Sequence, residues 1–392
     1  MIDRFAKRLE LAERLYKDLT RRELLTHGIT RVASITGLDI IGVPIFTATR
    51  PAGRTISINS GKHTNITMAR SGAVLEAIEY NTAENPPSLD NQTSGVAPWK
   101  ALKPILPLSA FPKVRGSIIH EDLPTAYETV DILSSSFKGA YAWVPSSLVW
   151  MCPRSADPFA HFCSSSNGLA IGFDALDAML SALYEVIERD AWSIYTYSQD
   201  MCSKIWPRIE LKGLPLADHL KSKGLEILAY DATTDVGVPV VGAMLFDPTN
   251  DKTGMFGGWG CHRDPIVAVE RAILEAIQSR ARYIAGARDD LMRRSFLIMK
   301  QAPQKELIEI IKSHPTAPFF SKVKPITMDQ ELIWLVDRLR QAGFLEIYAK
   351  TLAEYKLAGN PLTVVRVIVP GLVPPRFDGW QPTPRVLKYA SA

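Results

Sequence analysis

The sequence predicts an α/β protein, in the broad sense that includes α+β folds, with mixed sheets covered by helices. Two elements support this prediction, because each occurs three times. The first is a strand–turn–strand unit in which a Gly-x-Pro turn, at 42–44, 237–239 and 359–361, separates two apolar segments. The segments after the turns read IFTATR, VVGAMLF and LTVVRVIV, and they are rich in the β-branched residues that favour strands.

The second repeated element is a helix that carries acidic side chains. It reads AVLEAIE at Ala73–Glu79, ALYEVIE at Ala182–Glu188 and AILEAIQ at Ala272–Gln278, with no Gly or Pro inside. The three copies are too far apart and too irregularly spaced for a solenoid. We therefore expect the repeats to be units of a single large domain.

The chain divides into three parts. Residues 3–26 place apolar side chains at steps of three or four, which predicts an amphipathic helix in a segment 1–26. We expect this helix to pack on its own domain, and docking of a partner is the alternative. The main domain is predicted at 27–380, followed by a tail at 381–392. Pro-rich stretches at 86–112 and 370–384 are predicted to be long loops, and the polar segment 85–95 to be mobile.

Composition excludes several classes of protein. The chain has 392 residues, of which 46% are apolar and 22% charged, as in ordinary globular proteins. A net charge of +4 gives no basis for nucleic-acid binding. No apolar run has the length of a membrane span and no signal peptide begins the chain, so we expect no membrane association and a cytoplasmic location. The four cysteines form no C-x-x-C pair and are expected to be buried thiols.

Each repeated helix places two acidic or amide groups three residues apart, and therefore on one face. The pairs are Glu76/Glu79, Glu185/Glu188 and Glu275/Gln278. Any one such helix alone is more simply explained by a glutamate face exposed to water. Three copies with strongly apolar flanks instead indicate central helices, whose converging carboxylates would repel one another unless cations lie between them. Carboxylate oxygens are ligands that Mg²⁺ prefers.

The neighbouring residues fit phosphate binding. A loop of small residues precedes each helix, at Ser60–Lys62, Ser164–Gly168 and Gly257–Gly260, and Lys62 offers a positive point charge. Arginines suited to bidentate phosphate contacts flank the helices, at Arg189, Arg271, Arg280 and Arg282, and ion pairs with the same glutamates are the alternative role. No Walker-type loop, dinucleotide-binding fingerprint or nucleophile elbow occurs.

These residues together resemble the YcaO family over about residues 25–375. The first matching block runs from Thr30 through TGLDIIGVP to Lys62, Ser71 and the first glutamate pair. The second is SSNGLAIG, which leads into ALYEVIERDA, and the third comprises GWGCH, RAILEAIQSR and GARDD. Three long motifs in the same order make the resemblance specific, and it implies a YcaO-like fold.

The resemblance implies that ATP and Mg²⁺ serve to phosphorylate a backbone amide oxygen of a peptide or protein. It assigns Mg²⁺ contacts to Glu76, Glu79, Glu185 and Glu188. The metal and nucleotide roles of individual glutamates could be exchanged. It assigns nucleotide contacts to Lys62, Ser71, Ser165, Asn167, Arg189, Arg271, Glu275, Gln278 and Arg280. We expect Glu188, Arg189 and Gln278 to act in catalysis. The product is a thioamide, an azoline ring or an amidine, depending on the nucleophile.

Similarity to one group of members within the family favours thioamide formation. The phrases TRVASITGLD, YEVIERDA and GARDDL are most similar to members that are paired with TfuA-like proteins. The chain departs from the family at His63 and Tyr80, where Gly and Arg are usual. Azoline-forming members often end in Pro-x-Pro-x-Pro, whereas here eight residues follow Pro384. An azoline-forming cyclodehydratase and a non-catalytic scaffold are the alternatives. The implied partners are a peptide or protein substrate and a TfuA-like or leader-binding protein, and a homodimer also stays open.

Overall fold

Three antiparallel sheets, each with a long helix packed on it, organise the computed structural model of this chain. The structure describes residues 2–133, 140–152, 161–201, 206–249, 254–286, 304–316, 318–321, 323–374 and 383–390. The predicted α/β class is confirmed. The named strands pair with one another only in antiparallel fashion, so within these ranges the sheets are less mixed than predicted. A tight turn joins the strands at 348–357 and 360–368 directly, and such a turn allows only antiparallel pairing.

The first unit contains the helices α1 and α2, three strands and a long helix. Its elements are α1 Ile2–Asp18, α2 Arg21–Thr26, β1 Arg31–Ser34, β2 Ile45–Thr49, β3 Ile58–Lys62 and α3 Ile66–Glu84. The strands form a sheet in the order β1-β2-β3, and α3 packs on β2 and β3.

The second unit draws strands from the middle and the end of the chain. Its elements are β4 Ser94–Pro98, β5 Pro124–Ile132, β6 Tyr141–Pro145, α4 Ser146–Val149, β7 Leu169–Gly172 and α5 Ala175–Met201. The third unit contains β8 Arg208–Ile209, α6 Pro215–Ser222, β9 Glu226–Asp231, β10 Val240–Phe246, β11 Met255–Cys261 and α7 Pro265–Ala285. The chain then continues through α8 Gln304–Ser313, α9 Met328–Gln341, β12 Tyr348–Leu357, β13 Asn360–Ile368 and α10 Pro384–Ala390.

The middle sheet has the order β4-β5-β12-β13-β7, with β6 paired to β5, and the third sheet has the order β11-β10-β9-β8. The helix α5 packs on β13 and β7, and α7 packs on β11 and β10. In all three sheets the strand that precedes the glutamate-bearing helix, β3, β7 or β11, is therefore an edge strand. Each edge strand leaves backbone groups available to that helix or to a neighbouring one.

The threefold repeat predicted from the sequence is present. A strand follows each Gly-x-Pro turn, and the three turn glycines have φ values of +76° at Gly42, +69° at Gly237 and +77° at Gly359. A left-handed backbone of this kind favours glycine. The apolar flanks of the acidic helices are also central, because Ile78, Ile187 and Ile273 are all fully buried.

Two glycines set the distance between an edge strand and its helix. A Cβ on Gly61 would lie 2.0 Å from the carbonyl oxygen of Ala69 and 2.3 Å from the nitrogen of Ala73. A Cβ on Gly260 would lie 2.1 Å from the carbonyl oxygen of Ala268, in the matching place of the third unit. Glycine and alanine thus let backbone approach backbone, which brings the strand within reach of the helix carboxylates.

Two predictions about individual segments need correction. The single helix predicted over 3–26 is divided into α1 and α2, because Thr20 forms a capping box with Glu23 that starts a new helix. The stretch 86–112 is not a plain loop, since it contains β4 and short 3₁₀ turns at Trp99–Leu102 and Leu108–Ala110. Within 370–384, residues 375–382 lie outside the described part. None of the described helices is long and apolar enough to cross a bilayer.

The close approach at Gly260 predicts a stability effect. Gly260→Ala places a methyl group against the backbone of α7, so we expect it to lower the free energy of unfolding by about 2–3 kcal/mol. Gly37→Ala is the control, because a Cβ there meets no atom within 4 Å. Urea unfolding of both variants measures the difference. Equal midpoints for the two variants would contradict the packing described here.

Candidate functional site

A cavity of about 1050 Å³ lies between the three glutamate-bearing helices. Five carboxylates line it, from Glu76, Glu79, Glu185, Glu188 and Glu275. Five basic side chains line it as well, from Arg8, Lys62, Arg189, Arg271 and Arg282. The fixed charges of this lining sum to zero when all ten groups are ionised. The convergence predicted from the repeated helices is therefore what the structure shows.

Edge-strand backbone orients three of the carboxylates. The N–H of Ser60 on β3 donates to Glu76, and the N–H of Trp259 on β11 donates to Glu275 Oε2 at 3.1 Å. In both units the acceptor lies 16 residues after the donor. Glu79 accepts from the N–H of Ile171 on β7. Because an edge strand lacks a neighbouring strand on that side, the carboxylates satisfy N–H groups that would otherwise be unpaired.

Gln278 joins the first and third units. Its Nε2 donates to the carbonyl oxygen of Ser60 at 3.1 Å, and its Oε1 accepts from Lys62 Nζ at 3.1 Å. Arg282, one turn further along α7, donates from Nε to Ser60 Oγ at 3.0 Å and lies 3.8 Å from Glu76. An amide at position 278 can serve both a carbonyl oxygen and an ammonium group, whereas a carboxylate could not donate to Ser60.

Burial and the charges of neighbouring carboxylates disfavour ionisation of three of the cavity carboxylates, those of Glu79, Glu185 and Glu188. Burial, and then the charges of Glu185 and Glu76, raise the pKa of Glu79 well above its ordinary value. Burial raises the pKa of Glu185 to about 7 against the attraction of Arg189, and it also raises the pKa of Glu188. Burial acts in the same direction at Glu275, but the charges of Lys62 and Arg189 outweigh it and lower that pKa.

Arg189 is the cation nearest to the second glutamate pair. Its Nε lies 3.8 Å from Glu185 and its Nη2 lies 3.9 Å from Glu188. The pKa of Arg189 is raised, since the charges of Glu188 and Glu275 outweigh burial. Its guanidinium also lies over the Trp192 ring, 5.2 Å from the centroid. Arg189 therefore remains charged at the centre of the cavity.

The cavity contains no preformed metal cage. Within the residues described above, no three Asp, Glu, His or Cys side chains meet closely enough to hold one ion. Mg²⁺ in nucleotide sites is usually held by one or two protein carboxylates together with substrate phosphates. Glu76/Glu79 and Glu185/Glu188 fit that arrangement, because each pair shares one helix face and lines the cavity.

The loop before α5 supplies neutral polar groups. Ser165 and Asn167 line the cavity as predicted, together with Ser164 and Ser166. Asn167 Oδ1 is buried and has no hydrogen-bond partner within the described residues. The pKa of Tyr80 is raised to about 12 by burial, so its hydroxyl keeps its proton and hydrogen-bonds to Ser166.

Two predicted nucleotide ligands lie elsewhere. Ser71 is buried and donates from Oγ to the carbonyl oxygen of Ala12 at 3.1 Å, and Arg280 donates from Nε to Asp39 Oδ2 at 2.9 Å. The reason is helical geometry, which turns about 100° per residue. Arg280 follows Gln278 by two residues and so points away from the cavity, and Ser71 is similarly displaced from Glu76. Arg271, four residues before Glu275, does line the cavity.

Arg366 on β13 was not predicted from the sequence as a residue of the site. It is buried, and it donates to the carbonyl oxygens of Val149 at 3.0 Å, Ser165 at 3.0 Å and Asn167 at 2.8 Å. Burial lowers the pKa of Arg366 to about 10, and the charges of Glu185 and Glu79 oppose that shift. Arg366 thus holds the loop that carries Ser165 and Asn167. A lone arginine inside the apolar run VVRVIV was the signal that could have found it.

Comparison with known proteins identifies relatives of this chain. A family model described as YcaO cyclodehydratase, ATP- and Mg²⁺-binding, matches residues 60–373. An uncharacterised protein in the tfuA 3′ region of Rhizobium leguminosarum bv. trifolii is 32% identical, over 90% of this chain and 85% of the relative. The predicted cofactors, ATP and Mg²⁺, are those that the family model names.

Solved structures share the fold. The YcaO from Methanopyrus kandleri bound with AMPPCP and Mg²⁺ has a TM-score of 0.70 and 23% identity, over 93% of this chain and 91% of that one. A heterocyclase in complex with substrate and cofactor has a TM-score of 0.74 and 18% identity. The match to the heterocyclase covers 93% of this chain but 52% of that one, so this chain spans about half of its length.

The raised pKa of Glu185 predicts a pH dependence of stability. A folded-state pKa near 7, above the ordinary value of 4.5, means that the folded chain binds this proton more tightly than the unfolded chain does. Without Mg²⁺ and nucleotide, we expect the melting temperature of the wild type to fall as pH rises from about 5 to 8. Glu185→Gln should show a smaller fall, because glutamine does not ionise.

Glu354→Gln is the control, since Glu354 is exposed on β12. Melting temperatures of the three proteins, taken at several pH values, make the comparison. A pH dependence of Glu185→Gln that is parallel to that of the wild type would contradict the assigned environment of Glu185.

Proposed function

Because this chain belongs to the YcaO family, we propose that it phosphorylates a backbone amide oxygen of a peptide or protein with ATP, and that it thereby installs a thioamide. The single observation that carries the proposal is the cavity in which three repeated helices bring five carboxylates and five basic side chains together. This is the donor set that a magnesium–triphosphate complex requires.

The basic side chains are placed to bind phosphate oxygens. Lys62, Arg189, Arg271 and Arg282 come from three elements, β3, α5 and α7, so they line several sides of the cavity instead of forming one patch. Arg189 faces Glu185 at 3.8 Å, which is longer than a hydrogen bond. This guanidinium group therefore has capacity for a closer bidentate contact with phosphate.

The carboxylates are placed to hold Mg²⁺. Glu76 and Glu79 on α3, with Glu185 and Glu188 on α5, would provide one or two ligands to each ion, and the ions neutralise charge that develops during phosphoryl transfer. When all ten groups are ionised, the five carboxylates balance the five basic side chains, so the protein itself then adds no excess positive charge for a triphosphate. Glu275, whose pKa is lowered, stays ionised and fixes Lys62 and Arg189.

Activation of an amide in this way is chemically sensible. An amide oxygen is a poor leaving group, and transfer of a phosphoryl group to it creates a good one. A sulfur nucleophile that adds to the same carbon and expels phosphate leaves C=S in place of C=O. The protein's part is to bind the amide beside the phosphates and to exclude competing water.

The choice of a thioamide is supported by similarity. The relative from Rhizobium leguminosarum lies in the tfuA 3′ region, and the phrases TRVASITGLD and YEVIERDA resemble TfuA-associated members. We accordingly propose a TfuA-like protein as partner and a cytoplasmic location. Cys152, Cys163 and Cys261 are free and buried, as suits a reducing compartment.

Azoline formation is the second candidate, because the matching family model is described as a cyclodehydratase. In that reaction a Cys, Ser or Thr side chain of the substrate attacks the activated amide. The cavity suits both reactions, since each begins with the same phosphoryl transfer. A non-catalytic scaffold is disfavoured, because such a chain would be free to lose the glutamate pairs, and they are all present.

The site predicts that Glu188→Ala abolishes turnover without unfolding the chain. Loss of a metal ligand should lower ATP hydrolysis by about 100-fold or more, because it weakens charge stabilisation of phosphoryl transfer. Removing a buried carboxylate with a raised pKa should leave the melting temperature equal or higher. Phosphate release and circular dichroism are measured beside Glu270→Ala, an exposed glutamate on α7. Normal hydrolysis by Glu188→Ala would place the metal site elsewhere.

The product distinguishes the two candidate reactions. We expect the chain, ATP, Mg²⁺, a peptide and a sulfide donor to yield product efficiently only when a TfuA-like protein is added. Mass spectrometry then shows a gain of about 16 Da for a thioamide or a loss of about 18 Da for an azoline, on the amide activation argued here. A water-loss product would replace thioamide synthesis by cyclodehydration, and efficient reaction without the partner would refute the dependence.

A further inference from the structure

The helix α1 precedes residue 60, where the family match begins, yet it contributes to the cavity. Leu11 and Leu15 of α1 are buried in the core around α3, and the carbonyl oxygen of Ala12 accepts a hydrogen bond from Ser71 on α3. Other residues of α1 bind α5. Since α3 and α5 carry both glutamate pairs, α1 bridges the two helices that line the cavity.

The contact with α5 is a cluster of two arginines on one carboxylate. Arg4 Nε and Arg8 Nε each lie 2.8 Å from Asp177 Oδ1, and Asp177 is 1% exposed. Both arginines also donate from Nη2 to Ser181 Oγ, at 2.8 Å from Arg4 and 2.6 Å from Arg8. Ser181 Oγ in turn donates a hydrogen bond to the carbonyl oxygen of Asp177 at 3.0 Å.

The two arginines differ in what else surrounds them. The side chain of Arg4 is 10% exposed and approaches a second carboxylate, Glu331, at 4.0 Å. The side chain of Arg8 is 29% exposed, and it lines the cavity beside Ser181 and Arg271. Asp177 orients Arg8 and is shared with Arg4. Arg8 is thus a pre-oriented cation with an accessible surface on the cavity.

We infer that Arg8 binds the phosphates of the nucleotide and that α1 closes the cavity around them. The inference rests on the proposed function, because it needs a nucleotide in this cavity. A planar guanidinium held by Asp177 at one edge can offer its remaining N–H groups to phosphate oxygens in a bidentate contact. With Lys62, Arg189, Arg271 and Arg282, Arg8 then completes a ring of cations drawn from α1, β3, α5 and α7.

The alternative is that Arg8 only anchors α1 to α5. The two roles predict different consequences for ligand binding, since an anchor affects the stability of the unliganded chain and a phosphate ligand affects affinity. Arg14 provides a matched control on the same helix. It is more than half exposed and pairs with Glu10 and Asn360, away from the cavity.

The test compares the wild type with Arg8→Ala, Arg8→Lys and Arg14→Ala. Isothermal calorimetry with AMPPCP and Mg²⁺ measures affinity, thermal melting measures the unliganded chain, and hydrogen exchange of residues 2–18 measures closure by α1. We expect Arg8→Ala to raise the Kd about 10- to 100-fold, as for loss of charge-assisted hydrogen bonds, with Arg8→Lys in between and Arg14→Ala within about twofold. Nucleotide should slow exchange of α1 in the wild type and less so in Arg8→Ala.

Three outcomes would overturn the inference. If Arg8→Ala binds AMPPCP as tightly as Arg14→Ala does, Arg8 is not a phosphate ligand. Arg8 is only an anchor if Arg8→Ala lowers the unliganded melting temperature as well as the affinity for AMPPCP, and if Arg8→Lys restores the melting temperature and the affinity fully. If the wild type itself fails to bind AMPPCP with Mg²⁺, the proposed function falls together with this inference. If the wild type binds AMPPCP and Arg8→Ala binds it equally tightly, this inference fails and the proposed function stands.

Discussion

The close packing of an edge strand on a helix determines the geometry of the whole cavity. Gly61 and Gly260 allow β3 and β11 to approach α3 and α7 so closely that backbone meets backbone. At that distance the N–H groups of Ser60 and Trp259 fall within reach of Glu76 and Glu275. An N–H at a sheet edge and a carboxylate in a buried place each need a partner, and here each satisfies the other. In the second unit, the edge-strand N–H pairs with a carboxylate of another unit, because the N–H of Ile171 on β7 donates to Glu79 of the first unit. The three units are thereby joined around one space.

The same geometry makes the cavity electrostatically unfavourable without ligands. Burial raises the pKa values of Glu79, Glu185 and Glu188, and repulsion from neighbouring carboxylates acts in the same direction. Five basic side chains offset this repulsion, but the Arg189 contacts to Glu185 and Glu188 are long. Cations bound between these carboxylates, as we propose, would lessen the repulsion.

Residues far from the three repeated motifs complete the site. Arg366 on β13 holds the loop of Ser165 and Asn167 through their carbonyl oxygens, although it is not itself among the residues that line the cavity. Arg4 and Arg8 of α1 fasten to Asp177 at the start of α5. Each of these arginines reaches the site by long-range packing, and the chain separation between partners is 169 residues or more. Such contacts explain why the segment before residue 60 belongs physically to the cavity.

The sequence alone determined the fold class, the three glutamate-bearing helices and most of the charged residues that line the cavity. It could do so because helical spacing puts Glu76/Glu79, Glu185/Glu188 and Glu275/Gln278 on shared faces, and because apolar flanks show that these faces are central. Only the tertiary structure decided which neighbours take part. Ser71 and Arg280 lie close to the glutamates along the chain, yet the turn of the helix directs them to Ala12 and Asp39. Arg8 and Arg366 lie far away along the chain, and packing brings them in. Spacing within one helix is a local property that a sequence contains, whereas the meeting of separate elements depends on how their surfaces fit.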